Sequence, residues 1–233
     1  MSDFLWAPPA LPSLAVRGSA QRAPVNRLFF VGRNYHAHAQ EMGKPVDKAA
    51  ERPFYFTKAP QTLTPSGATT PYPDGTADYH HEMELVVVIG ARGHRVPAEQ
   101  AHALVYGYAC GLDMTRRDLQ LAARDKGRPW DLGKDVEHSS VVGEVLPLPG
   151  VVLGQGEIAL SVNGQVRQRS DLDKLIWNVR ELIADLSQFY TLEPGDLIFT
   201  GTPEGVGPVL PGDTLSGHIA GVGEISLHVG PAA

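Results

Sequence analysis

The 233 residues, 42% hydrophobic and 20% charged, form a chain long enough for one generous domain and too apolar for intrinsic disorder. A net charge of −6 argues against a nucleic-acid partner, which draws on a basic surface. The single cysteine, Cys110, excludes an internal disulfide framework and any multi-cysteine zinc or iron–sulfur site, and favours a reducing, cytoplasmic setting.

Residues 1–24, with Pro8, Pro9, Pro12 and Pro24, read as an arm packed on the body, and 25–233 as a single domain. The amino terminus lacks the basic-then-apolar order of a signal peptide, and no apolar run is long enough to span a bilayer. Residues 28–31 read as a short buried strand. Asn34 is placed to cap a helix over 35–42 that Gly43 closes. The polar stretch 43–53 reads as a mobile connection or lid. Strands follow at 54–57 and 82–89. Thr115 and Asp118 form a capping pattern for a helix that Gly127 ends. Asn163-Gly164 predicts a hairpin turn between 158–162 and 166–168. The clearest helix is 179–190, capped by Asn178 and Glu181, with Val179, Leu182, Ile183, Leu186 and Phe189 in one apolar stripe. A strand at 197–200, a glycine loop at 201–207, and a closing hairpin of 214–219 with 223–229 complete the chain. The 25 glycines and 19 prolines fit so many turns. The result is an α+β fold, strand-rich with a few short helices.

The most informative segment runs from His80 to Ile89. On a strand Glu82 and Glu84 share a face and lead directly into a buried apolar run. Two carboxylates about 6 Å apart repel by roughly 3 kcal/mol at an effective dielectric of ~20. They must be solvated, share a proton or hold a cation. A solvated strand end is the plainer reading. Asp113, between the apolar 105–112 and a helix start, adds a third hard oxygen donor, although it also suits an Asx turn. Three carboxylates without a thiolate favour Mg2+, with Mn2+ or Ca2+ as other fits. Lys134 is a candidate to balance the residual charge.

Val31-Gly-Arg-Asn-Tyr35, His81-Glu-Met-Glu84, Gly111-Leu-Asp-Met-Thr115-Arg-Arg-Asp118 and Gly201-Thr-Pro-Glu-Gly-Val-Gly207, in that order, resemble the fumarylacetoacetate hydrolase family. The likeness covers about Asn26 to Val229 and is to the short members with one catalytic domain. It implies a mixed β-sheet roll or sandwich, a small dicarboxylate or acylpyruvate substrate with no nucleic-acid or membrane partner, and a homodimer. It places Glu82, Glu84 and Asp113 on the family's metal carboxylates. The implied activity is metal-dependent hydrolysis of a carbon–carbon bond in an acylpyruvate, most specifically 3-fumarylpyruvate to fumarate and pyruvate.

His38 and Glu41, three apart on a helix, can touch, and a carboxylate beside an imidazole raises its basicity. A solvated surface pair is the alternative; the resemblance favours a water-activating dyad. Arg117 and Gln120 share a helix face and can grip a substrate carboxylate, against the plainer reading of an ordinary surface helix. The 201–207 loop lacks the lysine of a phosphate loop and more plausibly offers the Thr202 hydroxyl and backbone amides to an oxyanion. With Lys134 these make the candidate site: His38, Glu41 and Lys134 catalytic, and Arg117, Gln120 and Thr202 substrate-binding. His36 is expected to face solvent. Arg33, Lys44, Arg52 and Lys58 are unranked candidates to read a distal carboxylate. The competing functions are oxaloacetate decarboxylation or isomerisation of an unsaturated dicarboxylate on the same metal site. More remote ones are a non-haem iron oxygenase built on His36 and His38, and a non-catalytic small-acid binder.

Overall fold

Val, Ile, Leu and Phe runs bounded by glycine and proline turns build two sheets whose apolar faces meet, in the computed structural model, which describes residues 4–232. Residues 1–3 and 233, the outer ends of the expected arm and domain, lie outside the described residues. The larger sheet runs Phe54–Lys58, Leu28–Gly32, Leu197–Phe199, Met83–Ile89, Val105–Asp113, Ser140–Val142, Leu63–Pro65, with Leu146–Pro147 added to Val105–Asp113. It is mixed: Leu197–Phe199 runs parallel to Leu28–Gly32 and antiparallel to Met83–Ile89. The second sheet runs Gln165–Asp171, Glu157–Val162, Thr214–Ile219, Gly223–Ala232, Ala68–Tyr72. Leu85, Val87 and Ile89 pack in one core cluster with Leu160, Leu215 and Leu227 of the second sheet. On the other face, Val86 and Val88 join Phe30 and Phe199. Leu14, Val16 and Val25 belong to this second cluster, and Ser13–Ala15 pairs with Arg22–Pro24.

Among the described residues four α-helices punctuate the sheets: α1 (His36–Glu41), α2 (Arg117–Asp125), α3 (Asp131–Lys134) and α4 (Val179–Leu186). Asn178 and Glu181 form a complete capping box on α4, and Val179, Leu182, Ile183 and Leu186 are buried. Phe189 departs from the expected stripe. The helix ends at Leu186, and Phe189 lies 60% exposed with the Arg52 guanidinium 4.8 Å above its ring. The Asn163-Gly164 hairpin forms as expected, both residues adopting positive φ. Among the described residues no helix is long and apolar enough to cross a membrane.

Candidate active site

Strand register assembles the acidic cluster. Glu82 lies between Tyr79–His81 and Met83–Ile89, and its carbonyl accepts from Asp113 N at 2.9 Å. Glu84 pairs across the ladder with Gly111, so Asp113, two residues on, emerges on the same face. Ligand atoms of Glu82, Glu84 and Asp113 all lie within 4.8 Å of one another, and all three residues are buried. Three cations meet them. Lys134 Nζ, at the end of α3, lies 3.0 Å from Glu82 Oε2, 2.6 Å from Asp113 Oδ2 and 2.7 Å from Thr115 Oγ1. The Arg117 guanidinium donates to Glu82 Oε1 and to Gln120 Oε1. Lys58 Nζ lies 2.6 Å from Asp113 Oδ1 and donates to Met114 O, Ser139 O and Ser139 Oγ.

The electrostatics separate the two glutamates. Burial pushes Glu82 up, but Lys134 and Arg117 outweigh it and hold the carboxyl far below the usual range. Burial also pushes Glu84 up, and there the Asp113 and Glu82 charges add to it, leaving its carboxyl well above the ordinary value. Lys58 is pulled down by burial, against the opposing pull of Asp113. Asp113 Oδ1 is buried, and its close polar contact is the Lys58 ammonium at 2.6 Å. Three buried carboxylates with converging oxygens, one of them strongly disfavoured as an anion, fit a hard dication.

Helix α1 carries the second constellation. His38 is buried, and its Nδ1 lies 3.1 Å from Glu41 Oε2. Glu41 Oε1 accepts from Gly205 N at 3.2 Å, which ties the helix to the glycine loop. The His38 hydrogen bond holds the Glu41 carboxyl below its usual range, so it stays ionised and accepts from Nδ1–H, leaving Nε2 as the basic nitrogen. Asn34 does not cap this helix: Tyr35 holds the N-cap position. Asn34 is instead buried between distant loops, donating to Trp177 O and Thr200 O and accepting from Trp177 N. Nor do Thr115 and Asp118 make the expected cap of α2, whose N-cap is Arg116. Thr115 lies against Lys134 and Glu82, and Asp118 bonds Thr76 Oγ1.

The glycine loop closes the third side. Gly201 N donates to Glu84 Oε2 at 2.7 Å, and Gly201 takes φ +98° where a Cβ would lie 2.7 Å from that of Asn34. Thr202 is buried, its Oγ1 accepting from Gln168 Nε2 at 2.8 Å. Gln168 Nε2 also donates to Pro203 O, while its Oε1 accepts from Met83 N and His81 Nδ1. Burial pulls His81 down to about 4, so at neutral pH it is an uncharged donor to Gln168. A cavity of about 300 Å³ opens between these elements, bounded by Glu82, Glu84, Lys134, His38, Gln120 and Thr202. Asp113 lies behind its wall.

Residues 27–230 match the family model for the fumarylacetoacetate (FAA) hydrolase C-terminal domain. The chain belongs to this family. It is 66% identical over 191 residues to a fumarylpyruvate hydrolase of Ralstonia sp., covering 82% of this chain and all of that protein. It is 39% identical over 217 residues to a mitochondrial oxaloacetate tautomerase of Oryza sativa subsp. japonica, covering 91% of this chain and 95% of the relative. Its fold superposes with a TM-score of 0.94 on the crystal structure of fumarylpyruvate hydrolase from Pseudomonas aeruginosa in complex with Mn2+ and pyruvate. The two chains are 48% identical, the match covering 98% of this chain and 100% of that one. The strand-rich α+β architecture is thus that of the FAA hydrolase family.

All nine residues singled out from the sequence gather around this one cavity or directly behind it. Sequence reasoning missed Ser139, beneath Asp113, and Gln168, beneath Thr202; Lys58, expected as a possible reader of a distal carboxylate, is instead buried against Asp113 and does not line the cavity. The only local signal for Gln168 was its alternation with Arg167 and Arg169 on the predicted hairpin. His36 is exposed, and His80 Nε2 pairs with Asp78 at 2.7 Å. Arg33 and Lys44 line the cavity, whereas Arg52 pairs with Asp185 on the surface.

Proposed function

We propose that this FAA hydrolase family member is a dication-dependent hydrolase that cleaves 3-fumarylpyruvate with water to fumarate and pyruvate. The observation that carries this reading is one cavity bounded both by the buried acidic cluster and by a histidine paired with a carboxylate. The Ralstonia and Pseudomonas aeruginosa relatives, both fumarylpyruvate hydrolases, support the choice of substrate.

Glu82, Glu84 and Asp113 would hold the dication, which when bound draws negative charge onto substrate oxygens as a Lewis acid. His38 Nε2 takes a proton from water, and Glu41 stabilises the imidazolium that results. The water oxygen bonds to the ketone carbon beside the alkene. The carbon–carbon bond to the pyruvyl methylene then breaks, its electron pair leaving on the pyruvyl fragment as an enolate. Return of a proton to that carbon gives pyruvate. Lys134 and Thr202 hold substrate oxygens, and Gln120, its oxygen held by Arg117, directs its amide NH2 toward a carboxylate. Arg117 thus acts by orienting Glu82 and Gln120. The polar 43–53 segment, beside the cavity mouth, serves as a lid.

We also propose Mg2+ as the resident ion, on the all-oxygen donor set. A homodimer is supported by the exposed Phe4, Leu5, Trp6 and Leu11, an apolar surface that a second copy can cover. A cytoplasmic setting is supported by the lone buried thiol of Cys110. A second reading, tautomerisation of oxaloacetate, is favoured by the similarity to the Oryza protein. Ultraviolet assays of fumarylpyruvate, acetylpyruvate and oxaloacetate with Mg2+ decide between them. Fastest loss of fumarylpyruvate, abolished by chelation, is expected; preferential turnover of oxaloacetate, or turnover that survives exhaustive chelation, contradicts the proposal.

A further inference from the structure

We infer that Lys44, held in place by Arg33, reads the distal carboxylate of the substrate and makes the site selective for acylpyruvates that end in a second acid. This rests on the acylpyruvate reading above. Five cationic side chains line the cavity: Arg33, Lys44, Arg117, Arg124 and Lys134. Four already face a carboxylate. Arg117 and Lys134 meet Glu82, Arg33 lies 3.2 Å from Glu51, and Arg124 lies 3.1 Å from Asp125. Lys44 alone among them has no ion-pair partner among the described residues. Among these five, it is the charge left for a ligand.

The local backbone explains its position. Gly43, at φ +67°, turns the chain out of α1, and Lys44 N donates back to Ala39 O at 2.9 Å. This puts Lys44 at the same end of the cavity as the helix that carries His38. Arg33 fixes the turn from below. Its Nη1 donates to Lys44 O at 3.2 Å while its Nη2 meets Glu51, so one guanidinium holds two points of the 44–51 segment. Arg33 itself adopts φ +57°, a left-handed conformation that non-glycine residues seldom take without a reason in the surrounding structure. Its charge is committed to this bracing, which leaves Lys44 as the reader.

Another part of the cavity lining has a different chemistry. Met42, Phe54, Phe56 and Trp130 line it, with Phe54 and Trp130 packed edge to face at 5.0 Å between centroids. The matching ligand is linear, with an oxygen-rich head for the floor, a flat unsaturated middle for the aromatic wall, and an anionic tail for Lys44. A fumaryl chain has that order, because its trans double bond keeps the second carboxylate at the far end. Acetylpyruvate has the same head and no tail.

The test compares those two substrates in the full-length, Mg2+-loaded enzyme. Lys44→Met is expected to lower kcat/KM for fumarylpyruvate about tenfold, the low end for a charge-assisted contact because Lys44 is exposed. Acetylpyruvate turnover is expected to stay within about twofold, which also shows that the variant folds, and Lys44→Arg is expected to recover most of the loss. Equal losses on both substrates, or no loss on fumarylpyruvate, overturn the assignment while leaving hydrolysis intact. If the unmodified enzyme hydrolyses neither substrate, the functional reading fails and takes this inference with it.

Discussion

Lys58→Met tests how the acidic cluster is held in the fold. Lys58 Nζ is completely enclosed, 2.6 Å from Asp113 Oδ1, and also donates to Met114 O, Ser139 O and Ser139 Oγ. Methionine approximates its length but provides neither charge nor donors. Removing one partner of a buried ion pair typically costs about 3–5 kcal/mol. Lys134 still contacts Asp113 Oδ2 at 2.6 Å, which places this case near the lower limit, about 3 kcal/mol. A chain of this size loses about 2–4 °C of Tm per kcal/mol, so metal-free Lys58→Met should melt about 6–12 °C below the unmodified protein by circular dichroism. Saturating Mn2+ should narrow that gap, since a dication among the three acids replaces the missing positive charge. A metal-free Tm within about 2 °C of the unmodified protein, or identical Mn2+ increments in both proteins, would refute the charge-balance argument.

Two further outcomes follow from the same geometry. His38→Ala removes the proposed base but none of the acidic ligands, so kcat should fall about 10²-fold or more with Mn2+ affinity unchanged; steady-state rates and metal titration read the two separately. Cys110 is buried, its thiol donates to Gly223 O at 3.2 Å, and burial pushes it up to about 12. Because the folded value lies above the ordinary one, the native state keeps the proton through pH 9 and loses that stabilisation only as pH rises toward 12. Alkylation at pH 8 should therefore be negligible until denaturant is added, as mass spectrometry can follow; rapid labelling of the native protein would contradict the burial.

Much of the candidate site was legible because its pairs are local. His38 and Glu41 are one helical turn apart, as are Arg117 and Gln120, and Glu82 and Glu84 alternate on extended chain. Asp113 was visible as an acid ending an apolar strand. Gln168 was not, and Lys58 was visible only as one of four possible carboxylate readers, because their partners come from other strands: Lys58 reaches Met114 and Ser139 across the sheet, and Gln168 reaches Thr202 from the second sheet. The misread caps share one cause. Asn34 and Thr115 have side chains suited to helix starts, yet each sits where long-range polar groups compete for it. The mixed sandwich came from the family resemblance, but the strand order was hidden, since the parallel pairing of Leu197–Phe199 with Leu28–Gly32 joins segments far apart in sequence.

In the proposed reaction Glu82, Glu84 and Asp113 act together as ligands to one ion. Electron paramagnetic resonance of Mn2+ titrated into the unmodified protein and into Asp113→Asn measures this directly. One tightly bound Mn2+ per chain is expected in the unmodified protein, with binding weakened at least about tenfold in Asp113→Asn, where a charged ligand becomes a neutral one. No tight Mn2+ in the unmodified protein, or equal occupancy in both, would contradict it.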